Sequence, residues 1–178
     1  MAQHPVLITP RLRLEPFGAA HLTDRYVGWL NDPEVVRFSE QRHRHHTLAT
    51  ATAYTASFAG TPHGFWAIVA FEPGLGHIGN ITASVDQPND VADVGILLGH
   101  KAVWGRGYGF EAWQAVCRYL LDECRLRKVT AGTVSVNHGM LSIMRRAGMG
   151  EDGTRRRQCV IDGMAVDLVH MALFAEAR

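Results

Sequence analysis

The sequence predicts an α+β fold whose central sheet is mostly antiparallel and flanked by helices. Three observations carry this. Read by hydrophobic period, the elements run β α α β β β α β α β β, so strands and helices are mixed without strict alternation. Three neighbouring strand patterns, at 65–71, 76–85 and 91–98, are joined by short turns as a meander. The chain closes with two alternating runs around Asp162-Gly163, a dipeptide that favours a tight hairpin.

Each element has its own signal. Residues 7–17 alternate Leu12 and Leu14 with Arg11, Arg13 and Glu15, giving a first strand in which Pro10 suits the start or an edge. Ala19, Leu22, Tyr26 and Leu30 then share one helical face, stopped by Asn31-Asp32-Pro33. Residues 39–46, SEQRHRHH, read as a loop lining a substrate entrance and recognising an anionic group, or as a solvated loop before a helix. Thr47 caps a helix from Leu48 to about Ala59, ended by Gly60. FWAIVAF at 65–71 lacks alternation and is a strand buried on both faces. Glu72-Pro73-Gly74 and residues 86–90 are the meander's turns. After a long amphipathic helix beginning near Phe110 come a Val- and Thr-rich strand at 128–136 and a short helix from His138 to Arg146, ended by Gly148.

Bulk properties bound the function. The 178 residues are expected to form a single domain spanning 1–178 with a sizeable core. Hydrophobic residues make up 47% and charged residues 20%, as in ordinary globular proteins. A net charge of +1 gives no reason to expect nucleic acid as a partner. No apolar run approaches the roughly 20 residues of a membrane span, and the N-terminal stretch lacks the apolar core of a signal peptide. Cys117, Cys124 and Cys159 are odd in number and lack C-x-x-C spacing, which favours a reducing, cytoplasmic setting and no metal site.

The chemistry concentrates between Val91 and Trp113. A strand at 91–98 runs into Gly105, Gly107 and Gly109, and a helix follows at once. A helix N-terminus has unpaired N–H groups and partial positive charge, and glycines let backbone approach a ligand closely; together they cradle an anion such as phosphate. Arg106 adds a cation there. The dinucleotide fingerprint fails at Phe110 or Ala112, and the P-loop fails for want of Gly-Lys-Ser/Thr.

WGRGYG resembles a third phosphate loop, Q/R-x-x-G-x-G/A of the GNAT superfamily of N-acetyltransferases, with Trp104 in place of Gln or Arg. WGRGYGFEA and WLNDPEVVRF are similar to runs typical of the RimJ/RimL-type branch. The resemblance implies a GNAT-type acyl-CoA N-acyltransferase fold, splayed at the fourth strand by a bulge that Gly95 would ease. It implies acetyl-CoA as co-substrate and an amine as acceptor, with no metal, no nucleic acid and no membrane. Main chain of Ile96, Leu97 and Leu98 would face the thioester. Trp104, Gly105, Arg106, Gly107, Tyr108, Gly109 and Phe110 would surround the pyrophosphate, and Asn137 would touch the pantetheine arm. Dimers are common in the branch, so a homodimer is one expectation for assembly.

The catalytic groups are less defined. Asp93 occupies a strand position where related enzymes carry an acid that handles the amine proton through water; a solvated strand-end carboxylate is the alternative. Met140 stands where the family has a serine that protonates the thiolate. Ser142, the remaining hydroxyl candidate, points about 200° away from it around an ideal helix. Asp167 is read as either a sheet hydrogen-bond partner or a substrate contact, and His77, His100 and His170 as structural. The leading function is therefore acetyl transfer to a primary amine, a protein N-terminus or a small molecule, in a ternary complex. A non-catalytic acyl-CoA sensor and an acetyltransferase for a nucleotide-linked amino sugar or aminoglycoside are the alternatives.

Overall fold

The computed structural model describes residues 4–176, so the first three residues of the N-terminal stretch lie outside them. The elements in chain order are β1 (Leu7–Ile8), β2 (Leu12–Pro16), α1 (Asp24–Asn31), α2 (Leu48–Ala56), β3 (Gly64–Ala70), β4 (Gly76–Asp86), β5 (Val91–Leu98), α3 (Tyr108–Arg118), β6 (Lys128–Val134), α4 (His138–Arg146), β7 (Gly150–Ile161) and β8 (Met164–Phe174). The strands form one sheet in the order β1-β2-β3-β4-β5-β6-β8-β7. Every neighbouring pair is antiparallel except β5 and β6, which run parallel. This is the mostly antiparallel α+β sheet that the pattern predicts.

Helices cover both faces. On one, Trp113, Val116 and Leu120 from α3 and the turn after it join Leu141 and Met144 of α4, packing on Trp66, Ile68, Ile81, Val94 and Val129. On the other, Tyr26, Trp29 and Leu30 of α1 and Ala51 of α2 pack on Phe65 and Ala67, with Leu97 beside them. β3 thus feeds both layers by period two, as an unbroken apolar strand in the sheet interior should.

Four local features depart from the pattern. The first strand is two: Thr9 to Leu12 make a tight turn, Thr9 N–H donating to Leu12 O at 2.9 Å, and Pro10 sits in that turn. The expected early helix begins only at Asp24, because Thr23 Oγ1 accepts from Tyr26 N–H and caps it there. The bulge expected on the fourth predicted strand, β5, lies instead on its neighbour. β5 pairs β4 without a shift from Asp86 opposite Val91 to Gly79 opposite Leu98. The β3–β4 register slips between Ile68 and Val69, leaving Ile78 as the extra residue. Its carbonyl accepts from both Gly99 and His100, ending β5 and turning the chain outward. Finally, α3 starts at Tyr108 and passes into a π turn over Tyr119–Glu123, which sets both Leu120 and Leu121 inward.

The core at β4 is closely filled, and Ile81 is 0% exposed. Ile81→Ala is expected to cost about 2–5 kcal/mol, read as a lower urea midpoint at unchanged slope.

Candidate active site

The site begins where two strands stop pairing. β5 and β6 match at Val91 with Lys128, Ala92 with Val129 and Asp93 with Thr130, and then separate. β6 continues to Val134 against β8 alone. Strand amides and carbonyls alternate direction, so three bonds fix which residues face the gap. Gly99 N–H reaches Ile78 O of β4, while Ala92 O accepts from Thr130 Oγ1 of β6 at 3.4 Å and Leu98 O from Trp104 Nε1 at 2.9 Å. The even-numbered residues therefore turn their main chain toward β6. Of the three expected at the thioester, Ile96 and Leu98 face the gap, whereas Leu97 faces β4.

The glycine loop follows directly. Gly105 (φ +73°) and Gly107 (φ +84°) hold left-handed backbone, and Gly107 caps α3. Both values suit glycine and strain any other residue. Among the described residues no protein acceptor takes the N–H groups of Tyr108, Gly109 and Phe110, the first three of α3. Two expected donors are already engaged: Trp104 N–H bonds Lys101 O at 3.1 Å, and Arg106 N–H bonds Val103 O at 3.2 Å. A Cβ on Gly109 would lie 3.0 Å from Leu98 Cδ1 and 3.1 Å from Ile143 Cδ1, so the helix start is pressed against the end of β5 and against α4.

Apart from Glu111, which lies in the run WGRGYGFEA, the groups that hold this loop carry no motif of their own in the sequence. Glu111, in the first turn of α3, accepts from Thr9 Oγ1 at 2.6 Å, Arg11 N–H at 2.8 Å and Arg11 Nε at 2.6 Å. Arg11 Nη1 donates to Arg106 O at 2.9 Å, and its guanidinium stacks 4.4 Å from the Tyr108 ring. Glu72 accepts from Arg106 Nη2 and from the Tyr108 hydroxyl. Arg106 is thus ion-paired rather than a bare cation. The Tyr108 hydroxyl, followed by Arg106, holds the Glu72 carboxyl below its usual range. Burial acts to raise the Glu111 carboxyl, but the bonds from Thr9 and Arg11 outweigh it and its pKa is lowered. The signal for Glu111 was present in the run WGRGYGFEA; its partners Thr9 and Arg11 lie about 100 residues away in sequence.

The remaining candidates are dispersed. Asp93 Oδ2 accepts from Thr130 Oγ1 at 2.8 Å, at the last pair before the strands part. Desolvation raises its pKa, opposed by Thr130 and by His170. Asn137 caps α4, its Oδ1 accepting from Met140 N–H at 3.2 Å while Nδ2 donates to Thr133 at 3.0 Å, which leaves one amide hydrogen unused. Ser142 is exposed on α4 and makes no hydrogen bond among the described residues; its neighbours Leu141 and Ile143 take the inward positions. Asp167 serves the sheet, accepting from Arg157 N–H at 2.7 Å where β7 bulges. His77, its ring nitrogen 2.9 Å from Gly79 O, is driven to a pKa of about 4, chiefly by burial, and is neutral at pH 7. Cys117 is buried, which pushes its thiol up to about 12 and leaves it inert. Among the described residues no group of three or more His, Cys, Asp or Glu is placed to hold a metal, and no helix is long and apolar enough to cross a membrane.

A parted strand pair facing a glycine-capped helix, within a sheet of this order, is the frame of an acyl-CoA-dependent transferase. Residues 11–150 match the family model for the acetyltransferase (GNAT) domain, and the chain belongs to that family of acetyl-CoA-dependent N-acetyltransferases. Its fold is similar to RimL, the ribosomal L7/L12 α-N-protein acetyltransferase in complex with coenzyme A (TM-score 0.84, 13% identity, covering 98% of this chain and 100% of that one). It is also similar to the ribosomal-protein-S5-alanine acetyltransferase from Vibrio fischeri (0.81, 12%, 97% and 98%) and to an acetyltransferase structure from T. thermophilus (0.75, 25%, 99% and 93%). No curated protein sequence matches the chain.

The Glu111 clamp has a pH signature. Because its folded-state pKa lies below the ordinary 4.5, the ionised carboxylate stabilises the fold above that pH, and the contribution is lost as pH falls through the lowered value. Glu111→Gln is expected to reduce stability by about 1–3 kcal/mol at pH 7 in thermal or urea unfolding. The gap from the parent protein should narrow as pH falls below 4.5.

Proposed function

We propose that this acetyltransferase binds acetyl-CoA with its pyrophosphate on the N–H groups of Tyr108, Gly109 and Phe110, with Gly105 and Gly107 allowing close approach, and with the acetyl-pantetheine arm between β5 and β6. A primary amine then attacks in a ternary complex from the face that carries α1 and α2. One observation carries this reading: two sets of unpaired main-chain donors, at the α3 start and on the free edge of β5, are brought together by Leu98 packing on Gly109. The coenzyme A in the RimL structure and the acetyl-CoA in the similar MccE structure support the choice of co-substrate.

Each residue then has a stated task. Ile96 and Leu98 present N–H groups to the carbonyl oxygen as it becomes a tetrahedral oxyanion, fixed donors that need no reorganisation. Asn137 offers its remaining amide hydrogen to the arm. Asp93 receives the amine proton through water; desolvation raises its pKa and makes it a stronger base. Trp104 and Arg106 shape the loop, since their amides are engaged. Ser142 has no part. The thiol of coenzyme A leaves without a protein acid, its pKa of about 8.5 making it a good leaving group. With no acid and base paired across the gap, an acceptor of low pKa is favoured: an α-amine near 8 rather than a lysine near 10.4. A protein N-terminus and a small α-amine both meet that condition.

Gly107→Asp should weaken acetyl-CoA binding at least tenfold in calorimetry, about 1.4 kcal/mol, by placing a carboxylate and a strained φ at the cradle. Equal affinity in both proteins would remove the cradle from the mechanism. Asp93→Asn should lower kcat by about 10²-fold or more with acetyl-CoA affinity unchanged. An unaltered kcat would show that the proton leaves by another route.

A further inference from the structure

A cavity of about 490 Å³ lies away from the glycine loop, between the C-terminal end of α1, the segment after it and the tip of the β7–β8 hairpin. Its apolar wall includes Leu30 and Val36, and its polar wall carries Arg37, Arg42 and Arg44 with His43 and His45. Asp162 is the one carboxylate among the lining residues. The volume is that of a small-molecule site. Its position is set by packing. Leu30 belongs to the cluster that holds Leu97 of β5, and Ile161, between the lining residues Val160 and Asp162, belongs to the cluster that holds Val134 of β6. The cavity therefore lies on the α1 and α2 side, between elements whose apolar clusters reach β5 and β6.

The three arginines have different surroundings. Arg37 pairs with Asp162 at 2.6 Å and ties the segment to the hairpin tip. Arg42, its side chain only 16% exposed, is held by Ser39 O at 2.8 Å and Glu40 at 2.9 Å. Arg44 is exposed and has no ion pair among the described residues. The backbone beneath them is fixed: Ser39 caps a short 3₁₀ turn over Glu40–His43, and Asn31 bonds both N–H and C=O of His46 at 2.8 Å. A net charge of only +1 over the whole chain means that this local excess of cations is not part of a generally basic surface.

We infer that this cavity is an anion subsite for the acceptor, so that the amine substrate also carries a carboxylate or phosphate group. The inference rests on the acetyl-transfer reading and narrows it. Guanidinium groups recognise both anions through paired N–H donors; Arg44 offers an uncommitted fork, and Arg42, already bonded to Ser39 O, Glu40 and Val160 O, adds a fixed positive charge to the same wall. A carboxylate or phosphate seated there leaves the rest of the acceptor to run toward the gap beside Leu97.

The test is thiol release from acetyl-CoA with matched acceptors: ethanolamine against O-phosphoethanolamine, and alanyl-asparagine amide against alanyl-aspartate amide. At least one anionic member should show kcat/KM about tenfold or more above its neutral partner, and the two pairs separate phosphate from carboxylate recognition. Arg44→Glu should erase that preference while the affinity for acetyl-CoA stays the same. Ratios within twofold in both pairs, or a preference that survives Arg44→Glu, overturn the subsite and leave acetyl transfer standing. If acetyl-CoA does not bind, the acetyl-transfer reading fails first. The subsite is then judged by calorimetry with sodium pyrophosphate on the Gly107→Asp background, where equal heats with and without Arg44→Glu overturn it.

Discussion

The parting of β5 from β6 is the constraint on which the rest of the molecule turns. A sheet interior normally consumes every amide and carbonyl, because a buried polar group without a partner is costly. Here the pairing stops after Asp93 and Thr130, leaving a row of main-chain groups in the middle of the sheet rather than at its border. Such a gap persists only if the strands are held from their other sides. β5 is held by its unbroken register with β4, and β6 by its register with β8. The polar slot that results is shaped by the protein's own strand pairing.

The second requirement is that the helix start be carried to the same place. That is done from a distance. The turn at Thr9 to Leu12 sends Thr9 and Arg11 to Glu111, and Arg11 to the carbonyl of Arg106. Glu72, in the turn after β3, takes Arg106 and Tyr108 from the other side. Two carboxylates therefore anchor the glycine loop, yet their charge is met by the two arginines, so the unpaired amides at the start of α3 keep their positive character. A carboxylate at this helix start serves as a brace.

Much of this was legible in the residues. Period two fixed β5 at Val91–Leu98, the Asn137 to Gly148 run marked α4, and Asp162-Gly163 marked the last turn, with φ of 50° and 79° at those two residues. Each is a short-range signal read by short-range rules. What escaped was contact-dependent. Pro10 reads equally well as a strand edge or a turn until Leu7 is seen opposite Leu14. Thr23 caps a helix that the apolar spacing alone would begin earlier. The extra residue at Ile78 is visible only against the register of β3. At the candidate site, the glycines announced a cradle, but no local pattern says which amides are used internally, and those of Trp104 and Arg106 are. The cavity walls at Arg42 and Val160 lie 118 residues apart, beyond any motif.

Arg155, Arg156 and Arg157 gain a meaning from where β7 stands. It is the outermost strand on one side, and β1, two residues long, is outermost on the other. Between Arg155 and Cys159 the ladder slips, with Arg157 in left-handed backbone and all three arginines exposed. A charged, kinked rim offers no flat ribbon for another chain to extend, and a two-residue rim offers almost none. Fibre-like growth by strand addition is thereby disfavoured at both borders.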